Sequence, residues 1–169
     1  MRLPSTHTWL AAMLGGAGAL HLVRPRIYEW LVPPELGNAR VWVLASGAAE
    51  LRFLGMQLRD AADPSAGIWF TVDEPAQNQA GVLHGGVIYT LMDVASFLAL
   101  LPSLSDEEHA VTHDLVVSLI RPVSAGKRVD LTGTVLRRGR AVAFMRAEAT
   151  VDGEVVAAAQ VTKSVVRAG

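Results

Sequence analysis

The chain contains no cysteine, which excludes disulfides, thiolate nucleophiles and sulfur-ligated metals. Aromatic residues are scarce at 6%, and fifteen Lys and Arg stand against sixteen Asp and Glu for a net charge of -1. Neither a phosphate-coating basic surface nor a row of base-stacking rings can be built from that supply, so no nucleic-acid partner is expected. The five histidines, at 7, 21, 84, 109 and 113, include no pair at helical metal-ligand spacing, since the segment around His113 alternates as a strand does. No metal and no organic cofactor are expected. What the chain has in excess is apolar residues, 51% of the total, with a mean hydropathy of +0.32. At 169 residues it makes one domain of ordinary size with a short appendage.

The apolar excess sits at the front. From Leu3 to Val23 no residue is formally charged, a run about as long as the ~20 residues that span a bilayer. A signal peptide starting from Arg2, with an apolar core from Trp9 to Leu22, is a rival, but it lacks a convincing small-x-small cleavage site before Arg24. A buried or interfacial helix is the third option. Residues 1–60 carry six Arg against four acidic side chains, and the remainder nine basic against twelve acidic. A boundary is therefore expected near residue 50, dividing a hydrophobic helical segment, 1–50, from a domain over 51–169. Within the segment, the stretch from Gly18 to Pro34, followed by Ser46-Gly-Ala-Ala-Glu-Leu, resembles the opening of DoxX-like small membrane proteins. That resemblance implies a first span, a turn at Val-Pro and the start of a second span. The segment is expected to be a membrane anchor, a cover for a sheet edge or a fusion remnant. The protein is expected to be cytoplasmic, with membrane contact through residues 3–23.

Beyond residue 50 the period changes. Ile68, Phe70 and Val72 alternate with Trp69, Thr71 and Asp73, and Val111, His113, Leu115, Val117 and Leu119 alternate until Arg121-Pro122, so both runs are expected strands. Three more alternating runs, near 127–137, 140–151 and 154–166, are separated by Arg138-Gly139 and Asp152-Gly153. Such short glycine-bearing connections suit an antiparallel meander. Between the first two strands, Val87 to Leu101 lacks Gly and Pro, is apolar almost all round and is closed by Pro102. That pattern predicts a helix which must be covered. The expected fold is α+β: a curved antiparallel sheet of about five strands wrapped around one central helix, with an open edge that a second copy could cover.

Chemistry concentrates in Asn78-Gln-Ala-Gly-Val-Leu-His84-Gly85-Gly86-Val-Ile-Tyr-Thr-Leu-Met-Asp93. Two glycines at a helix start let the backbone approach a ligand, and the first-turn N–H groups have no intrahelical partner. With the helix dipole they could stabilise a developing oxyanion. Asp93 lies seven residues past Gly86, on nearly the same face. A carboxylate on so apolar a helix is costly unless bonded or used, and no basic residue is apparent on that face. The bland alternatives are that Thr90 and Ser96 satisfy Asp93, that His84 caps the helix and that Asn78 is a turn residue. Seven residues of helix rise about 10.5 Å, whereas groups acting on one carbonyl must converge within about 3 Å. If both ends of the helix are catalytic, Gly85 and Asp93 should meet across a symmetric dimer.

Residues from about Leu51 to Val166 resemble a hotdog-fold acyl-CoA thioesterase of the phenylacetic-acid-pathway (PaaI-like) type. The match rests on Asn78, His84-Gly85-Gly86 and Asp93 in that order and spacing, with Arg121-Pro122, Arg138-Gly139-Arg140 and Thr162-Lys163 in comparable places. The resemblance implies a homodimer, commonly doubled to a homotetramer, that hydrolyses acyl-CoA to a free acid and coenzyme A. It makes Asp93 the general base or nucleophile, the Gly85 N–H the oxyanion donor, His84 and Asn78 positioning residues and Thr112 a hydroxyl that orients water. It also makes Arg121, Arg138, Arg140 and Lys163 candidates for the coenzyme A phosphates. From the residues themselves, Tyr89, Phe97 and Leu100 are expected to form an apolar acyl pocket, with Gly86 a further substrate contact. A hydratase is disfavoured because Val87 to Leu101 contains no histidine. The remaining alternatives are a non-catalytic acyl-CoA-binding module attached to a membrane, in which Asp93 is structural, and a membrane component defined by its front segment.

Overall fold

The computed structural model describes residues 53–167. The front segment, with its DoxX-like and membrane-span readings, lies outside these residues. The chain divides between Gly55 and Met56. In the second unit β1 (Gln57–Leu58), β2 (Ile68–Thr71), α1 (Gly85–Leu100), β3 (Glu108–Leu119), β4 (Arg128–Arg138), β5 (Val142–Val151) and β6 (Glu154–Arg167) follow in order. The strands form one sheet in the order β1-β2-β4-β5-β6-β3, and every neighbouring pair is antiparallel. This is the hotdog arrangement. The five strands expected from alternation are present. The sixth, β1, is two exposed residues, too short to carry a period.

Strands β4, β5 and β6 make the expected meander. Its second turn is Asp152-Gly153 with φ of 52° and 84°, the left-handed pair that a two-residue hairpin requires. Helix α1 links β2, next to one end of the sheet, to β3 at the other end, and its buried side chains include Leu91, Met92, Val94, Phe97 and Leu98. They lie on an inward face of small residues, among them Ala143, Ala147, Ala149, Ala157 and Ala159. The stretch Gly85–Ser103 is apolar and long enough to cross a membrane by composition alone, but here it is the helix that the sheet wraps.

Close approach of helix and sheet depends on Gly133 of β4. A Cβ there would stand 2.5 Å from the Ala95 carbonyl oxygen and 2.9 Å from Ser96 Cα. Backbone cannot step aside as a side-chain tip can. Gly133→Ala is therefore expected to cost about 3 kcal/mol, lowering the melting temperature by roughly 10 °C or more. An unchanged melting curve would mean that the helix does not rest on β4.

One irregularity matters for the site. The β3–β6 register slips between Thr112 and Asp114, leaving His113 without a partner. A bulge reverses which side later residues face. Thr112 is opposite Lys163 before it, and Leu115 and Val117 are opposite Val161 and Ala159 after it. Thr112 thus shares the inward side with Leu115 and Val117. Uninterrupted alternation, as read from Val111 to Leu119, would have set it on the other side.

Candidate active site

At the start of α1 the chain is shaped by two polar side chains. The Asn78 carboxamide oxygen accepts from the amides of Ala80 at 2.9 Å and Val82 at 3.3 Å, so Asn78 builds the turn leading to the helix. His84 is the N-cap, and its Nδ1 accepts from the Gly86 N–H at 2.9 Å. Both residues therefore have the structural employment that was the alternative to a substrate role, and the Gly86 amide is already taken. The Gly85 N–H is different. Among the described residues no acceptor takes it, which leaves one first-turn amide for an incoming oxygen.

Two turns along the helix, Asp93 is not alone. Lys163 Nζ donates to its Oδ1 at 2.8 Å, and Thr112 Oγ1 donates to the same oxygen at 2.5 Å. Lys163 Nζ also donates to Thr112 Oγ1 at 2.9 Å. This corrects the expectation that no basic residue stands near Asp93: β6 supplies one from seventy residues along the chain. Ser96, the suggested satisfying group, donates instead to the Asp93 main-chain carbonyl at 2.7 Å. The Lys163 side chain is 1% exposed and that of Asp93 19%. Burial holds the Lys163 ammonium below the ordinary lysine value of 10.5, and the charge and hydrogen bond of Asp93 oppose that shift.

The residues expected to meet substrate separate in space. Lys163 is buried, so it cannot stand at a rim and hold phosphate. Phe97 is 1% exposed and lies beneath Lys163, whose Nζ is 5.8 Å from the ring centroid. It is core rather than an open acyl wall. Tyr89 remains accessible, its hydroxyl donating to the Val117 carbonyl at 3.3 Å. Arg121 is ion-paired with Glu154, beside a cleft of about 370 Å³ that also takes in Ser124 and Lys127 and does not include Asp93. Arg138 is held by Glu108 at 3.0 Å and by the Gly139 carbonyl. Of the four proposed phosphate ligands, only Arg140 is exposed and without an ion pair among the described residues.

Lys163 as partner of Asp93 is what sequence reading missed. The signal was its phase: within β6 it falls in step with the buried Ala157, Ala159 and Val161, so an inward lysine should have prompted a search for its anion.

Comparison with known proteins agrees with the fold. Residues 80–161 match the Thioesterase superfamily, and residues 10–58 match a domain of unknown function, which gives no support to the DoxX-like reading. The chain is 34% identical over 106 residues to a Deinococcus radiodurans protein named "Putative esterase", covering 62% of this chain and 70% of that one. It is 31% identical over 96 residues to acyl-coenzyme A thioesterase 13 of Mus musculus, covering 54% of this chain and 66% of the relative. The chain thus spans about two thirds of these relatives' length. Among solved structures, a single-residue mutant of the phenylacetic acid degradation protein PaaI from Thermus thermophilus superposes with a TM-score of 0.60 at 27% identity, over 68% of this chain and 96% of that one. A hotdog sheet wrapped on a His-Gly-Gly helix, together with these likenesses, shows that the chain belongs to the thioesterase superfamily, a family of thioester hydrolases.

Proposed function

We propose that the protein hydrolyses acyl-CoA thioesters to a free acid and coenzyme A, at a site shared between two copies of the chain. The observation that carries this reading is the pairing on one helix of a first-turn amide, Gly85, and a carboxylate, Asp93: among the described residues the amide has no acceptor and the carboxylate is hydrogen-bonded at Oδ1 alone. The name of the mouse relative supports the substrate class. The two groups lie eight residues apart, a rise of about 12 Å, so one thioester cannot meet both in a single protomer. Edge strand β3 offers the place for a second copy. Among the described residues it is unpaired on one side and exposes Val111, Val116 and Leu119, with Ile120 just beyond. Such an edge favours association.

In this reading Asp93 is a general base. It takes a proton from water as the water oxygen bonds to the thioester carbonyl carbon, and the carbonyl oxygen, gaining negative charge, accepts from the partner's Gly85 N–H. The tetrahedral adduct then breaks its C–S bond, and Asp93 returns the proton to the departing thiolate. Thr112 fixes the carboxylate, Tyr89 borders the acyl group and Arg140 is available to a phosphate. A single turnover in ¹⁸O-labelled water should place the label in the product acid. Label retained instead in Asp93 would show direct attack through an acyl anhydride.

The test is thiol release by the full chain from a panel of short, long and aryl acyl-CoA compounds. Catalytic release from at least one class is expected. Tight acyl-CoA binding with no thiol released would instead identify a binding module.

A further inference from the structure

The chain has two lysines against thirteen arginines. Lys127 is spent on an exposed pair with Asp152, and Lys163 is buried beside Asp93. The three hydrogen bonds among Lys163, Thr112 and Asp93 close a triangle in which both donors to the carboxylate converge on Oδ1. Among the described residues no donor reaches Oδ2. A carboxylate gripped at one oxygen from adjacent strands β3 and β6 is hindered from turning about its Cβ–Cγ bond, which leaves the other oxygen to an incoming donor.

We propose that Lys163 is a positioning residue for thioester hydrolysis, holding Oδ1 of Asp93 both directly and through Thr112 so that Oδ2 alone meets the attacking water. This rests on the assignment of Asp93 as the base. No other employment for the ammonium is in view. Its cross-strand neighbours are Thr112 on β3 and Ala143 on β5, Phe97 lies beneath it, and the inward Leu131 of β4 and Met145 of β5 carry no charge. On β3, His113 and Asp114 are exposed, and Glu108 is paired with Arg138. Asp93 is the one ionisable side chain within hydrogen-bond reach of Lys163 among the described residues.

The arrangement has an alkaline signature. Burial makes Lys163 lose its proton below 10.5. Between that lowered value and 10.5, the unfolded chain holds a proton that the folded chain has released, so this group's contribution to stability rises with pH. Over the same range the neutral amine keeps two N–H donors but loses the charge that draws Oδ1, so its hold on Asp93 weakens. Turnover should therefore fall where this group is not weakening the fold.

The test follows the two lysine ¹³Cε resonances of the wild-type chain, assigned with Lys127→Arg, while kcat on an acyl-CoA substrate is measured over the same pH range. The expected midpoint of the alkaline decline coincides with the titration of Lys163. Lys163→Arg, which stays charged, should move the decline to higher pH. Lys163→Met, of similar length and uncharged, should lower kcat at neutral pH at least about tenfold with KM within about threefold. A kcat that stays flat through the titration of Lys163 overturns the proposal, and because this comparison leaves Lys163 itself unchanged, needing only wild-type protein and the exposed-site variant Lys127→Arg, it decides even if Lys163→Met does not fold. Asp93→Asn in the same assay separates the two ideas. If that variant keeps its turnover, the base assignment fails. If it is inactive while kcat ignores the Lys163 titration, only the positioning role fails.

Discussion

Asp93→Asn is expected to lower kcat at least about a hundredfold, the usual contribution of a positioned general base, with assembly and substrate affinity retained. The substitution keeps the shape of the side chain, and the amide oxygen can still accept from Thr112 and Lys163. What is lost is the ability to take a proton from water. There is a structural side effect. Lys163 is left without its counter-ion in a buried place, and an uncompensated buried charge costs up to about 3–5 kcal/mol. The lysine can relieve that cost by releasing its proton, so the variant should fold, with a lower melting temperature. Steady-state kinetics beside a melting curve checks both statements. A loss of less than about tenfold in an intact assembly would remove Asp93 from the chemistry.

Gly85→Pro is the second large effect, and the local geometry makes it clean. Gly85 is the first residue of α1, the helical position where proline is most readily accepted. His84 before it has φ -72° and ψ 130°, within the extended range that a following proline demands. The contact an added Cβ would meet is Leu119 Cδ1 at 3.1 Å, the far end of a flexible side chain. The substitution therefore deletes the N–H and sets the ring Cδ in its place, with the backbone of the turn kept. Removal of an oxyanion donor should reduce kcat about 10²–10³-fold, whereas Gly85→Ala, which keeps the amide, should lose far less. If the two variants turn over within about tenfold of each other, the Gly85 amide does not stabilise the transition state.

Much of this was legible in the residues. Period-two runs marked five strands because one face of each is buried, and the uninterrupted apolar stretch after Gly86 marked a helix that had to be enclosed. Helix α1 begins two residues before the expected Val87, because His84 caps it and draws both glycines into its first turn. Other features escaped for physical reasons. The bulge at His113 leaves no mark in composition, yet it turns Thr112 toward Asp93. The Asp93–Lys163 pair joins residues seventy apart on α1 and β6, and its trace in the sequence is the inward phase of Lys163, which does not say which element carries the anion. Arg121 and Arg138 resemble free phosphate ligands in sequence, but Glu154 and Glu108 claim them in the fold.

The central claim is that each site takes its amide from one copy of the chain and its carboxylate from another. Hybrid dimers, purified by two different tags after co-expression of Asp93→Asn and Gly85→Pro chains, test it directly. In such a dimer one shared site has its donor from the Asp93→Asn chain and its base from the Gly85→Pro chain, and the other site has neither. The expected turnover is about half that of the wild-type dimer. Hybrids no more active than the two parent variants would show that each protomer keeps both groups for itself.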